Sequence, residues 1–166
     1  MTDADGRGAQ PDDALVERIS LAARDRGLQV AVAESLTCGR ISSALGSGEA
    51  ASDWYAGAVV AYDAEVKFHV LGVTPGPVVT PDCAVQMAQG ARRLLRADVA
   101  LAITGVGGPG DDEGCPPGTV HLALVTADDA RHVEDRLSGD PAEVVARATT
   151  LALREIAAAL EASGAT

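Results

Sequence analysis

Ser35 and Lys67 are the two side chains of this chain whose type and setting best suit covalent chemistry. Ser35 stands where a short apolar run (residues 28–33) stops at Glu34 and gives way to small and polar residues. A buried strand that ends in a tight turn and feeds a helix reads this way. A serine in such a turn has its hydroxyl held clear of the sheet edge, and amides at the following helix N-terminus are free to bind negative charge. Lys67 follows Tyr62 by about one helical turn. A lysine whose pKa is lowered beside a partly desolvated serine accepts the serine proton, and a tyrosine can relay or position it. Serine–lysine pairs run acyl transfer without histidine. Plainer readings stand beside this one: Ser35 or Thr37 caps the next helix, and Lys67 is a solvated surface residue.

Other chemistries find less support. His69, His121 and His132 show no ligand spacing with one another or with Cys38, Cys83 and Cys115, so no metal site is expected. Three cysteines without a CxxC leave an odd thiol, which argues against a disulfide scaffold and for a cytoplasmic protein. A formal charge of −11 and one Trp, two Tyr and one Phe disfavour direct nucleic-acid binding. No apolar run approaches the roughly 20 residues that cross a bilayer, so no membrane partner is expected.

The elements that must position these groups are legible in order. An apolar stripe predicts a helix over 12–25 with Gly27 as C-cap. Residues 28–33 are the first strand, 38–45 a short helix, and 46–53 a Gly/Ser/Ala-rich connection. A second buried strand is expected over 55–62, after which Asp63 caps a helix running to Leu71. Three prolines make 72–81 a loop. A strongly amphipathic helix follows over 82–96, then a third strand over 99–104. Residues 105–118 form a glycine-rich loop that lacks the Gly-Lys-Ser/Thr ending of ATPase phosphate loops. Its glycines let backbone amides approach a ligand, or else it is a mobile surface loop, with Asp111, Asp112 and Glu113 as its solvated tip. A strand pair over 119–126 and 132–138, joined by an Asp128-Asp129 turn, precedes a helix over 141–160 capped by Asp140. The order predicts an α/β chain: a three-layer α/β/α sandwich around a mixed sheet, one domain over 12–162 behind a disordered leader over 1–11. Ser35, Tyr62 and Thr104-Gly105 then follow three strand ends that can open onto one sheet edge, where open α/β sheets bind ligands.

Four segments together resemble the CinA C-terminal domain family, which includes nicotinamide mononucleotide amidohydrolases. They are Ala33-Glu34-Ser35-Leu36-Thr37-Cys38-Gly39, Gly57 through Tyr62 to Lys67 with Leu71-Gly72-Val73, Ala102 to Gly110, and Pro117-Gly118-Thr119-Val120. The chain carries other residues than the family usually does at Leu36, Cys38, Ala64, Cys115, Pro141 and Val145. The resemblance implies hydrolysis of the nicotinamide carboxamide to a carboxylate with release of ammonia. Ser35 would be the nucleophile, Tyr62 and Lys67 its activators, and amides after Ser35 the oxyanion donors. Substrate-binding residues would be Thr37, Gly39, Gly57, Thr104, Gly105, Gly107 and Gly108, the last four holding the ribose-phosphate. The implied reaction needs no metal and no redox cofactor. The implied partners are a small-molecule nucleotide substrate and further copies of the chain, as a dimer or higher homo-oligomer. Two alternatives stay open: a non-catalytic interaction module linked to competence or the DNA damage response, and a redox-sensitive domain using Cys38 and Cys115.

Overall fold

Alternating residues of the strands send branched side chains to one face of the sheet and alanines to the other. That division organises the molecule. The computed structural model describes residues 11–162; residues 1–10 of the expected leader lie outside it, and Pro11 opens the first helix. The elements run α1 (Pro11–Arg26), β1 (Val30–Glu34), α2 (Arg40–Gly46), α3 (Ala51–Trp54), β2 (Tyr55–Val60), α4 (Ala64–Leu71), α5 (Pro81–Leu95), β3 (Val99–Gly105), β4 (Thr119–Val125), β5 (Ala130–Arg136) and α6 (Pro141–Ala162). The five strands form one mixed sheet in the order β2-β1-β3-β4-β5. β1 pairs in parallel with β2 and β3, while β4 pairs antiparallel with β3 and β5.

Val30, Val32, Leu101, Ile103 and Leu122 pack with Ile19, Ile41, Leu45, Leu153 and Ile156, so α1, α2 and α6 cover that face. Ala31, Ala33, Ala100, Ala102 and Ala123 face the other way, against Leu71, Ala84, Met87, Ala88 and Ala91 of α4 and α5. The period of two in the strands produces both faces at once. Small side chains let α5 lie close to the sheet. α4 and α5 also meet closely, since a Cβ at Gly90 would collide with the Leu71 carbonyl.

The expected elements are present with shifted ends. Residues 36–39 form turns before α2, with Cys38 (φ 48°) and Gly39 (φ 91°) in the left-handed region; such geometry costs a non-glycine residue about 1–2 kcal/mol. Part of the connection over 46–53 belongs to α3, whose Trp54 is buried and donates its indole N–H to the Glu49 carbonyl at 3.0 Å. β5 starts at Ala130 rather than 132. No helix among the described residues is long and apolar enough to cross a membrane.

Candidate active site

The turn that carries Ser35 is held from beneath by its neighbour. Glu34 is fully buried at the end of β1. Its carboxylate accepts from the Thr37 hydroxyl at 2.7 Å and from the amides of Gly39 at 3.0 Å, Ile41 at 3.2 Å and Ser42 at 2.7 Å. Those amides are the donors that the start of α2 would otherwise leave unpaired. The expectation that this helix end is open to a ligand anion is therefore corrected: the chain's own carboxylate fills it. An acid beside Ser35, just ahead of a short helix, was the available signal, because carboxylates favour helix N-termini.

Ser35 itself is pinned through its backbone. Its amide donates to the Ile103 carbonyl at 3.2 Å, and its carbonyl accepts from Cys38 at 3.1 Å. It is 8% exposed. Its hydroxyl has no hydrogen-bond partner among the described residues, yet it is not among sealed polar atoms left without one. It opens onto a cleft of about 340 Å³ that Tyr62 and Lys67 also line.

Lys67 is brought there by the start of α4. Asp63 caps this helix as expected, its side chain accepting from the Glu65 amide at 2.8 Å. Lys67 sits one turn further on and is 1% exposed, which corrects the solvated-surface reading. Its Nζ donates to the carbonyls of Ala61 at 2.7 Å and Tyr62 at 3.1 Å. Burial pushes the amine below the ordinary lysine range, against the opposing pull of Cys83, Asp63, Glu113 and Asp112. A neutral amine has two N–H bonds and one lone pair. In that form both N–H bonds would meet the two carbonyls and leave the lone pair as a base. Tyr62 contributes its carbonyl to this arrangement, while its residue as a whole is 70% exposed at the cleft.

The third wall comes from β3 and the glycine-rich loop. Thr104, Gly105, Gly107 and Gly108 all line the cleft. The Thr104 hydroxyl donates to the Val78 carbonyl at 2.8 Å. Gly105 is required by packing, because a Cβ there would strike the Thr119 carbonyl. Glu113 is exposed with Asp111 and Asp112, as a solvated tip would be, yet its carboxylate also accepts from the Val78 amide at 2.8 Å and the Val79 amide at 2.7 Å, tying the loop to the segment before α5. Thr37, Gly39 and Gly57 are not among the residues lining the cleft. The first two serve the Glu34 clasp, and Gly57 lies in edge strand β2.

Cys38 and Cys115 do not line the cleft either. Cys83 lies behind it, and burial pushes its thiol up to about 11, which keeps it protonated and inert. Strand pairing brings His121 and His132 within 3.2 Å, although their spacing gave no hint of it. No group of three His, Cys, Asp or Glu among the described residues could hold a metal ion.

A family model described as the CinA C-terminal domain matches residues 12–160. The chain belongs to the CinA C-terminal domain family. A CinA-like protein of Mycolicibacterium paratuberculosis is 38% identical over 159 residues, covering 88% of this chain and 35% of its own length. A Bacillus pumilus protein named as competence-damage inducible is 36% identical over 150 residues, covering 87% of this chain and 36% of its own. The chain thus spans about a third of the length of the curated relatives it matches. A CinA superfamily crystal structure from Klebsiella pneumoniae superposes with a TM-score of 0.87 at 32% identity, covering 92% of this chain and 99% of that one. The crystal structure of a competence/damage inducible protein from Agrobacterium tumefaciens gives 0.85 at 31%, covering 97% of this chain and 99% of that one. The single-domain α/β/α architecture is therefore that of the CinA superfamily.

Proposed function

We propose that this CinA-family domain is a serine–lysine amidohydrolase that converts a nicotinamide-type carboxamide to its carboxylate. One observation carries the reading: an unengaged serine hydroxyl and a buried, down-shifted lysine amine share one cleft. Ser35 Oγ attacks the amide carbon while its proton passes to Lys67 Nζ. The oxyanion is met by the amide of Leu36, which lines the cleft and finds no acceptor among the described residues; such a donor contributes about 3 kcal/mol in well-studied hydrolases. The C–N bond then breaks, and the Lys67 proton leaves with the nitrogen as ammonia. Water attacks the resulting ester, its proton returning through Lys67 to Ser35. The sum is amide plus water giving carboxylate plus ammonium. Tyr62 stands at the mouth, positioned to pass protons or close over the ring.

Ammonia release from a panel of pyridine carboxamides tests the reading. Ser35→Ala should lower kcat/KM by 10³-fold or more, in the range seen when hydrolase nucleophiles are removed, with the circular dichroism spectrum unchanged. A Ser35→Ala protein that still released ammonia at the wild-type rate would refute it. Stoichiometric binding of a protein partner, without turnover of any amide, would favour an interaction module instead.

A further inference from the structure

Charge around the cleft limits what an amide substrate can carry. Among the described residues lining the cleft, Lys67 is the only cationic side chain; it is almost wholly buried, bonded to two carbonyls, and must be neutral to act as a base. One carboxylate lines the cleft with it, and two more lie near the lysine. Asp112 lines the cleft, and Glu113 is moored to the Val78 and Val79 amides of the same wall. Asp63 caps α4, one turn ahead of the lysine. All three lie within electrostatic reach of the Lys67 amine.

Neither helix start at the cleft offsets this. The α2 amides are spent on Glu34. α6 begins with Pro141, which has no N–H, and its Glu143 amide donates to Asp140 at 2.9 Å. The α6 residues that reach the cleft, Pro141 and Val145, are apolar. Arg147 turns elsewhere, donating to Ser138 at 2.7 Å and bordering a separate cavity. A phosphate dianion would meet carboxylates and apolar carbon, with backbone amides of the glycine loop as its main donors. Those amides suit neutral hydroxyls as well, and Asp112 complements the positive charge of an N-substituted pyridinium ring.

We propose that the cleft takes an N-substituted pyridinium carboxamide whose substituent is neutral and hydroxylated, and discriminates against the same compound bearing a phosphate. This rests on the amidohydrolase reading above. The test compares nicotinamide riboside with nicotinamide mononucleotide, by ammonia release from the full chain and by calorimetric binding to its Ser35→Ala variant. The riboside should have a kcat/KM at least 10-fold higher. Asp112→Lys, at an exposed loop position, and Val145→Arg, as a second route, should each raise kcat/KM for the phosphorylated compound 10-fold or more and narrow the preference. Ammonia release favouring the mononucleotide overturns the charge inference and leaves the amidohydrolase standing. If neither compound is hydrolysed, the hydrolase reading fails, and binding decides the rest. At least 10-fold tighter binding of the riboside upholds the selectivity; equal binding, tighter mononucleotide binding or no binding overturns it.

Discussion

The turn leaving β1 and the turn leaving β2 each bury one ionisable side chain beside the same cleft, and they treat it in opposite ways. Glu34 receives four donors, three of them amides of the chain that follows it. Lys67 reaches back to two carbonyls of the chain that precedes it. Both residues are almost wholly removed from solvent. The carboxylate has its charge matched by convergent dipoles, so it acts as a fixed strut. The amine meets no side-chain acceptor among the described residues and is only partly compensated, so burial weakens its hold on a proton. Equal burial yields a strut in one case and, in the mechanism proposed above, a base in the other; the number of matched hydrogen bonds decides which.

Removing the lysine charge should separate the two regions most sharply. Lys67→Met keeps the apolar stem, so folding should persist, while kcat/KM should fall on the order of 10³-fold or more, as for loss of a hydrolytic base. Steady-state ammonia assays alongside thermal melts measure both; an active Lys67→Met would remove the lysine from the mechanism. Glu34→Ala should act on the opposite axis. It strands the Ile41 amide and the Thr37 hydroxyl, both buried, and two part-buried amides, so a loss of about 3–5 kcal/mol in chemical denaturation is expected. Glu34→Gln, which keeps one good acceptor oxygen, should lose roughly half that.

The pH response should sharpen the contrast. With Lys67 lowered in the folded state, kcat/KM should rise about tenfold per pH unit until that amine is neutral. Between the lowered folded pKa and the ordinary 10.5, the unfolded chain binds more protons. Stability should therefore also rise with pH across that window, and the rise should disappear in Lys67→Met. A flat activity profile would mean that Lys67 is not the base. The smallest effect concerns the element that carries the lysine. Asp63→Ala removes the α4 cap and should cost about 1 kcal/mol, measurable as a lower melting temperature with catalysis largely kept.

Much of this organisation was legible from residue order. The Asp63 cap, the Pro141 helix start and the apolar runs of β1 and β3 are local signals, and each appears where its pattern predicts. The alternation of Ala31 and Ala33 with Val30 and Val32 went unread, because the strand reads as one buried apolar run. What also escaped were contacts between distant segments. Glu113 and Val78 are 35 residues apart and meet only because the loop after β3 folds over the segment before α5. His121 and His132 become neighbours through β4–β5 pairing. α3 was missed because a four-residue helix leaves almost no periodic trace.

The chain's order of residues by itself determined the alternation of elements, the two unlike sheet faces, and the presence of a serine, a tyrosine and a lysine each just past a strand. These depend on interactions within one or two turns of backbone. Only the tertiary structure decided that Lys67 is buried, that Glu34 closes the α2 terminus against other anions, and that Asp112 lines the cleft. Desolvation and field at a point are sums over everything packed around it, and no stretch of sequence contains its own surroundings.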